Sequence, residues 1–198
     1  PDVYFQVKLY TGTGSTLAVT LDGAADMQPD LIWIEVRNET SSAMIQDSVR
    51  GTDGTSYRAM KPSADSAEST NSGFLTTIGS NGFTVGTNGK FNAADDTYIA
   101  SCWKETADAG FDIVIYDGTG SARTISHSLS AVPHLMITKQ REDPGGGSNS
   151  WNVYHHKNTD APETDYLTLN GDAATSDSNI RWNDTAPTSS VFTVGTGN

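Results

Sequence analysis

Short runs of alternating apolar and polar residues recur along almost the whole chain. They read VYFQVKLY (3–10), LAVTL (17–21), DLIWIEVR (30–37), AMIQDSV (43–49), SYRAM (56–60), GFTVG (82–86) and TYIASCWK (97–104). A second series follows: FDIVIY (111–116), RTISHSL (123–129), HLMITKQR (134–141), WNVYHH (151–156), DYLTLN (165–170), IRW (180–182) and VFTVG (191–195). Period-two alternation with β-branched and aromatic residues predicts strands. The separators TGTGS, DGAADMQPD, DGTGS and REDPGGGSNS supply turn chemistry. No window of a dozen residues carries a helical stripe, and only single helical turns are expected near 63–69 and 159–163. The pattern predicts an all-β protein whose facing sheets bury alternate residues such as Leu31, Trp33, Leu135 and Ile137.

The two series are copies of one another. YTGTGS (10–15) and YDGTGS (116–121) agree at five of six positions, at an offset of 106. PDLIWI (29–34) matches PHLMIT (133–138) at an offset of 104, and FTVGT recurs at 83–87 and 192–196. Three matches in one order mark a tandem duplication, with offsets drifting as loop insertions would make them. The expected architecture is two tandem antiparallel β-sandwich, jelly-roll-like modules, residues 1–106 and 107–198. After its FTVGT the first copy continues into TYIASCWK, whereas the second has no such segment. An uncovered sheet edge is a liability that native β proteins avoid. The expectation is therefore a parent chain that continues beyond Asn198, or a neighbour that supplies the strand.

Charge narrows the partners. Against 12 Lys and Arg stand 24 Asp and Glu, a formal net charge of −12. Phosphate backbones are bound by neutralising them with cations, so neither nucleic acid nor an anionic membrane is an expected partner. The single cysteine, Cys102, excludes an intrachain disulfide and lies in an apolar run as a small hydrophobe. The Gly-rich YTGTGS lacks the Lys and following helix of a phosphate-binding loop. It is expected to be a hairpin joining VKLY to LAVTL.

Candidate chemistry is sparse. Adjacent His155 and His156 point to opposite faces of a strand and do not chelate one metal together. No zinc spacing involves them, His127 or His134. Asp95 and Asp96, after Asn88 and Asn92, make an oxygen-rich loop that is a candidate calcium site, although ordinary turn formation uses the same residues. Asp22, Asp26 and Asp30 raise the same question, and calcium is the only cofactor in view. No nucleophile elbow occurs, and among so many acids a pair of carboxylates carries no information, so no enzymatic activity is expected. Trp151, Tyr154 and Trp182 lie beside Asn and Asp and are candidates for stacking on sugars; the alternative is that they fill the core. The REDPGGGSNS loop (141–150) is the expected exposed tip.

Taken in order, YTGTGS, QPDLIWIEVRN, DSVRG, GFTVGTNGKFNAADDTYIASCWK and, in the second copy, IYDGTGSARTISHSLSAVPHLMITKQR, SWNVYHH, YLTLN and WNDTAPTSSVFTVGT form a recognisable series. It resembles a tandem β repeat of virion proteins from marine tailed bacteriophages, described as tail-fibre-like or simply structural. The resemblance spans almost the whole chain. It implies a structural or adhesive component on the exterior of the virion, in a tail fibre, a spike or a capsid decoration. Such parts are commonly symmetric homo-oligomers, so the implied partners are other copies of the chain, other virion proteins and a host surface glycan. The alternatives are a carbohydrate-binding receptor-recognition module and, third, a polysaccharide-degrading tail spike.

Overall fold

A computed structural model describes residues 2–142 and 149–197. The chain divides into two compact units, Pro1–Pro62 with Glu68–Glu105, and Ser63–Ala67 with Thr106–Asn198. The division falls one residue from the boundary read off the repeat, and it assigns the short segment Ser63–Ala67 to the second unit.

The first unit is two facing antiparallel sheets. One runs β1–β8–β3–β4–β5, built from β1 (Phe5–Thr11), β3 (Leu31–Val36), β4 (Met44–Asp47), β5 (Ala59–Met60) and β8 (Thr97–Trp103). The other runs β2–β7–β6, from β2 (Leu17–Thr20), β6 (Leu75–Gly79) and β7 (Gly82–Val85). Val19, Phe83 and Val85 of the smaller sheet share one core with Ile32, Ile34, Tyr98, Ala100 and Cys102 of the larger. A single helical turn, α1 (Gly89–Asn92), leads into β8.

Inward parity differs from the sequence expectation. Ile32, Ile34 and Val36 are buried, while Leu31 and Trp33 are half-exposed on the opposite face. LIWI is apolar on both rows, so alternation alone does not choose between them. YTGTGS is not a hairpin either: β1 pairs with β8 and β2 with β7, so the loop carries the chain from one sheet to the other. Its backbone is tied to the stretch before β8, Gly12 N–H donating to Asp96 O at 2.8 Å and Gly14 N–H to Asn92 O at 2.9 Å.

The second unit repeats this plan with fewer strands. Its β9 (Arg123–Ser126) pairs with β14 (Val191–Val194), and a second sheet runs β10 (Leu135–Thr138), β11 (Asn152–His155), β12 (Asp165–Thr168), β13 (Ser176–Asp177). The register is that of the first copy: Val19 faces Phe83, and Ile125 faces Phe192. Likewise Trp33 faces Ile45, and Ile137 faces Val153. In both copies the glycine of FTVGT lies against neighbouring backbone. A Cβ on Gly86 would lie 2.7 Å from Gly73, and one on Gly195 would lie 2.4 Å from Ile180 O. That close approach requires glycine and explains why the phrase is written twice.

Two segments depart from the strand prediction. IRW forms a helical turn, α2 (Asn179–Trp182). Residues 111–116, the counterpart of β1, form no strand, because no equivalent of β8 lies beside them among the described residues. The turns expected at 63–69 and 159–163 are not helical; the helical turns lie at α1, at α2 and in a 3-10 turn, Ala107–Ala109. Among the described residues no helix is long and apolar enough to cross a membrane.

Candidate functional site

The candidate sugar platform lies inside the second unit. Trp151, Tyr154 and Trp182 are all buried, which corrects the reading of them as a stacking surface. The indole N–H of Trp182 donates to Asp165 O at 3.0 Å, and that of Trp151 to Ala64 O at 3.1 Å. Tyr154 meets Trp182 edge to face at 6.1 Å. Burial pushes the Tyr154 phenol up, with a smaller push from Glu163. With both indole donors bonded to backbone, the rings fill a core, as buried aromatics with polar handles do. Most of the candidate exposed tip, residues 143–148, lies outside the described residues.

The candidate calcium loop is a turn. Asp95 has a left-handed backbone (φ +68°), and its N–H donates to Gly12 O at 3.1 Å. Asp96 Oδ1 accepts from Asn38 Nδ2 at 3.2 Å. Neighbouring Asn92 is fully buried: its amide donates to the carbonyls of Ser15 and Gly86 and accepts from Thr13 N–H. These groups satisfy one another and hold YTGTGS against α1.

Asp22, Asp26 and Asp30 also act separately. Asp22 pairs with Lys8 at 2.7 Å, and that hydrogen bond holds its carboxyl below the usual range. Asp26 accepts from Asn81 Nδ2 at 2.7 Å. Buried Asp30 accepts from Gln28 Nε2, Ser48 Oγ and Glu105 N–H, so it ties three segments of the first unit together. Among the described residues no group of three or more His, Cys, Asp or Glu is placed to hold a metal ion.

His134 and His156 stack in parallel with ring centroids 3.9 Å apart, while His155 meets His156 edge-on at 5.2 Å. Desolvation and the neighbouring imidazoles lower the His156 pKa. His127 lies elsewhere, with Nε2 3.2 Å from Thr188 O. The four histidines therefore form no single centre.

Sequence reasoning passed over a buried charge network in the first unit. Arg50 pairs with Asp47 and lies 3.6 Å from Glu68, which in turn pairs with Arg58 at 3.1 Å. The signal was present in AMIQDSVR, where an acid at the end of β4 is followed three residues later by a base. A shallow depression of about 300 Å³, lined by Asp2, Phe5, Gln6, Val7, Asp22 and Gly23, is bridged by Gln6, which bonds Asp2 O, Ala25 O and Gly23 N–H. It brings no acid and base together for chemistry.

Cys102 is fully buried on β8, and burial pushes its thiol up to about 12. A thiol so protected is inert. Native protein is expected to give no reaction with a disulfide reagent at neutral pH, and one thiol on unfolding in denaturant. Rapid labelling of the folded chain would contradict the central position of β8.

What remains open is backbone and apolar surface. The outer face of β1 carries exposed Phe5, Val7 and Leu9. Among the described residues of the second unit, β10 pairs with β11 and with no second strand.

Residues 1–198 match a family model described as "Domain of unknown function (DUF7483)", and the chain belongs to that family. No curated protein and no solved structure matches the chain.

Proposed function

We propose that the chain is a non-catalytic structural or adhesive component of the exterior of a phage virion, assembled as a homo-oligomer. The ordered series of repeat motifs supports the virion setting, and the acidic charge is compatible with an exterior surface rather than a genome-contacting one. The buried acids support a structural role, since Asp30 and Asp47 are engaged in holding loops and strands.

The observation that carries the assembly reading is an apolar row on the first unit. Phe5, Val7 and Leu9 are 38%, 45% and 54% exposed along one face of β1. On β8 their cross-strand neighbours are Trp103, Ser101 and Ile99, and on β3 Leu31, Trp33 and Glu35 lie beyond these, so the apolar character extends across the sheet with Ser101 and Glu35 set within it. An exposed, largely apolar face of this kind is a candidate interaction surface. In a symmetric assembly, one such patch serves every copy.

Leu9→Glu places a charge at the most exposed point of this row. The wild-type chain is expected to sediment as an oligomer and the variant as a single chain, with unchanged circular dichroism. A wild type that is monomeric at every concentration would defeat the assembly reading. The virion setting is tested separately, by labelled antibody on intact particles; a chain found only in cellular fractions would defeat it.

A further inference from the structure

We infer that β1 pairs edge to edge and antiparallel with β1 of a second copy of the chain, about a two-fold axis at Val7, so that two five-stranded sheets become one. The inference rests on the homo-oligomer reading proposed above and gives it a geometry.

β1 stands at the end of its sheet and pairs with β8 alone. Lys104 N–H donates to Tyr4 O, and Gly12 N–H to Asp96 O. Alternation along an antiparallel ladder therefore turns the backbone groups of Gln6, Lys8 and Tyr10 toward β8. Those of Phe5, Val7, Leu9 and Thr11 face the other way, where no second strand meets them among the described residues. The side chains of Phe5, Val7 and Leu9 are exposed as well, and the depression of about 300 Å³ lies against Phe5, Gln6 and Val7. Both the main chain and the apolar row of β1 are thus within reach of a neighbour.

Native sheets discourage edge pairing with short strands, bulges, prolines and inward-pointing charges. The other edges of the first unit follow that rule: β5 is two residues long, β2 is four, and β6 carries a register shift between Leu75 and Thr77. β1 does not. It runs seven residues in unbroken register with β8 and contains no proline. Its one charge, Lys8, is neutralised by Asp22 at 2.7 Å. An apolar edge left this long and regular is a template for another strand.

The strand is complementary to itself. Phe5 and Leu9 are evenly spaced about Val7, so antiparallel pairing there sets Phe5 against Leu9 of the second copy and Val7 against Val7. All three present their N–H and C=O to the free edge, so each facing pair exchanges both bonds. The outward apolar row of one copy then runs on into that of the other. Charge selects this register over its neighbours. With the axis at Val7, Lys8 faces Gln6 of the second copy, whose amide donates to Asp2 O at 2.7 Å, so the cation comes to the side where an acid lies. Moving the axis to Lys8 sets Lys8 against Lys8, and like charges directly opposite are destabilising. Moving it to Gln6 sets Leu9 against Val3, which lies outside the strand.

The test is amide exchange on the full wild-type chain at rising protein concentration. The N–H groups of Phe5, Val7 and Leu9 are expected to slow at least about tenfold as the oligomer forms. Val7→Cys should join two chains through a short bismaleimide, because the facing Cα atoms of such a pair lie about 5.5 Å apart. Thr11→Cys should not, because the two positions lie roughly 27 Å apart along antiparallel strands. Buried Cys102 stays out of the reaction. An oligomer whose Phe5, Val7 and Leu9 amides exchange as they do in the single chain overturns this inference and leaves the homo-oligomer reading standing. Cross-linking at Thr11 also overturns it, since it requires parallel strands. A chain that stays single at every concentration overturns both readings together.

Discussion

Replacing Arg50 with methionine is expected to cost about 3–5 kcal/mol, because it breaks a buried ion network from its centre. Arg50, Asp47 and Glu68 are all buried. The guanidinium pairs with Asp47, donates to Ile45 O at 3.1 Å and lies 3.6 Å from Glu68. Asp47 Oδ1 also accepts the N–H of Val49 and of Arg50 itself, which folds the chain back at the end of β4. Without the cation, Asp47 keeps only those backbone donors and Glu68 keeps Arg58. Two acids then share one base in the protein interior, and desolvation of the excess negative charge dominates. Denaturant unfolding followed by circular dichroism checks the figure. Adding Glu68→Gln to Arg50→Met should recover part of the loss, since neighbours in one network are not additive. A single-variant loss below about 1 kcal/mol would show that water reaches these groups and that the network belongs to the surface.

The duplication was legible because its markers serve the backbone. Gly86 and Gly195 each lie where a side chain would strike a neighbouring main chain, so the surrounding words FTV and T remain recognisable while the middles diverge. Strand existence was legible wherever alternation coincided with a partner. It failed at residues 111–116, whose sequence is as strand-like as any, because a strand needs a neighbour and no equivalent of β8 lies beside them among the described residues. Facing was not legible at LIWI, where both rows are apolar. The short string IRW was misread because three residues are too few to carry a period.

The candidate site was less legible than the fold. Polar neighbours around Trp151, Tyr154 and Trp182 suggested exposure, but the polarity belongs to the adjacent chain and not to the rings. Asp95 and Asp96 suggested calcium because turn and ligand chemistry use the same residues. Asp47 and Glu68 lie 21 residues apart in sequence, so nothing local announced that one arginine serves both.

Trp182→Ala separates the core reading from the sugar-platform reading most sharply. Trp182 is among the largest fully buried side chains, against the ring of Tyr154 and with its N–H on Asp165 O. Truncation removes the packing, leaves a cavity and strips a donor from the half-buried Asp165 carbonyl, for an expected loss of about 3–5 kcal/mol. Trp182→Phe keeps most of the volume but loses the N–H, and should cost about 1–3 kcal/mol. Denaturant midpoints of the full chain, followed by far-ultraviolet circular dichroism, report both. An indole that served as a sugar platform would give the reverse result, with stability unchanged and glycan binding lost. The structure makes the stability loss the expected outcome, because a ring that donates to Asp165 O and packs against Tyr154 in the core presents no free face.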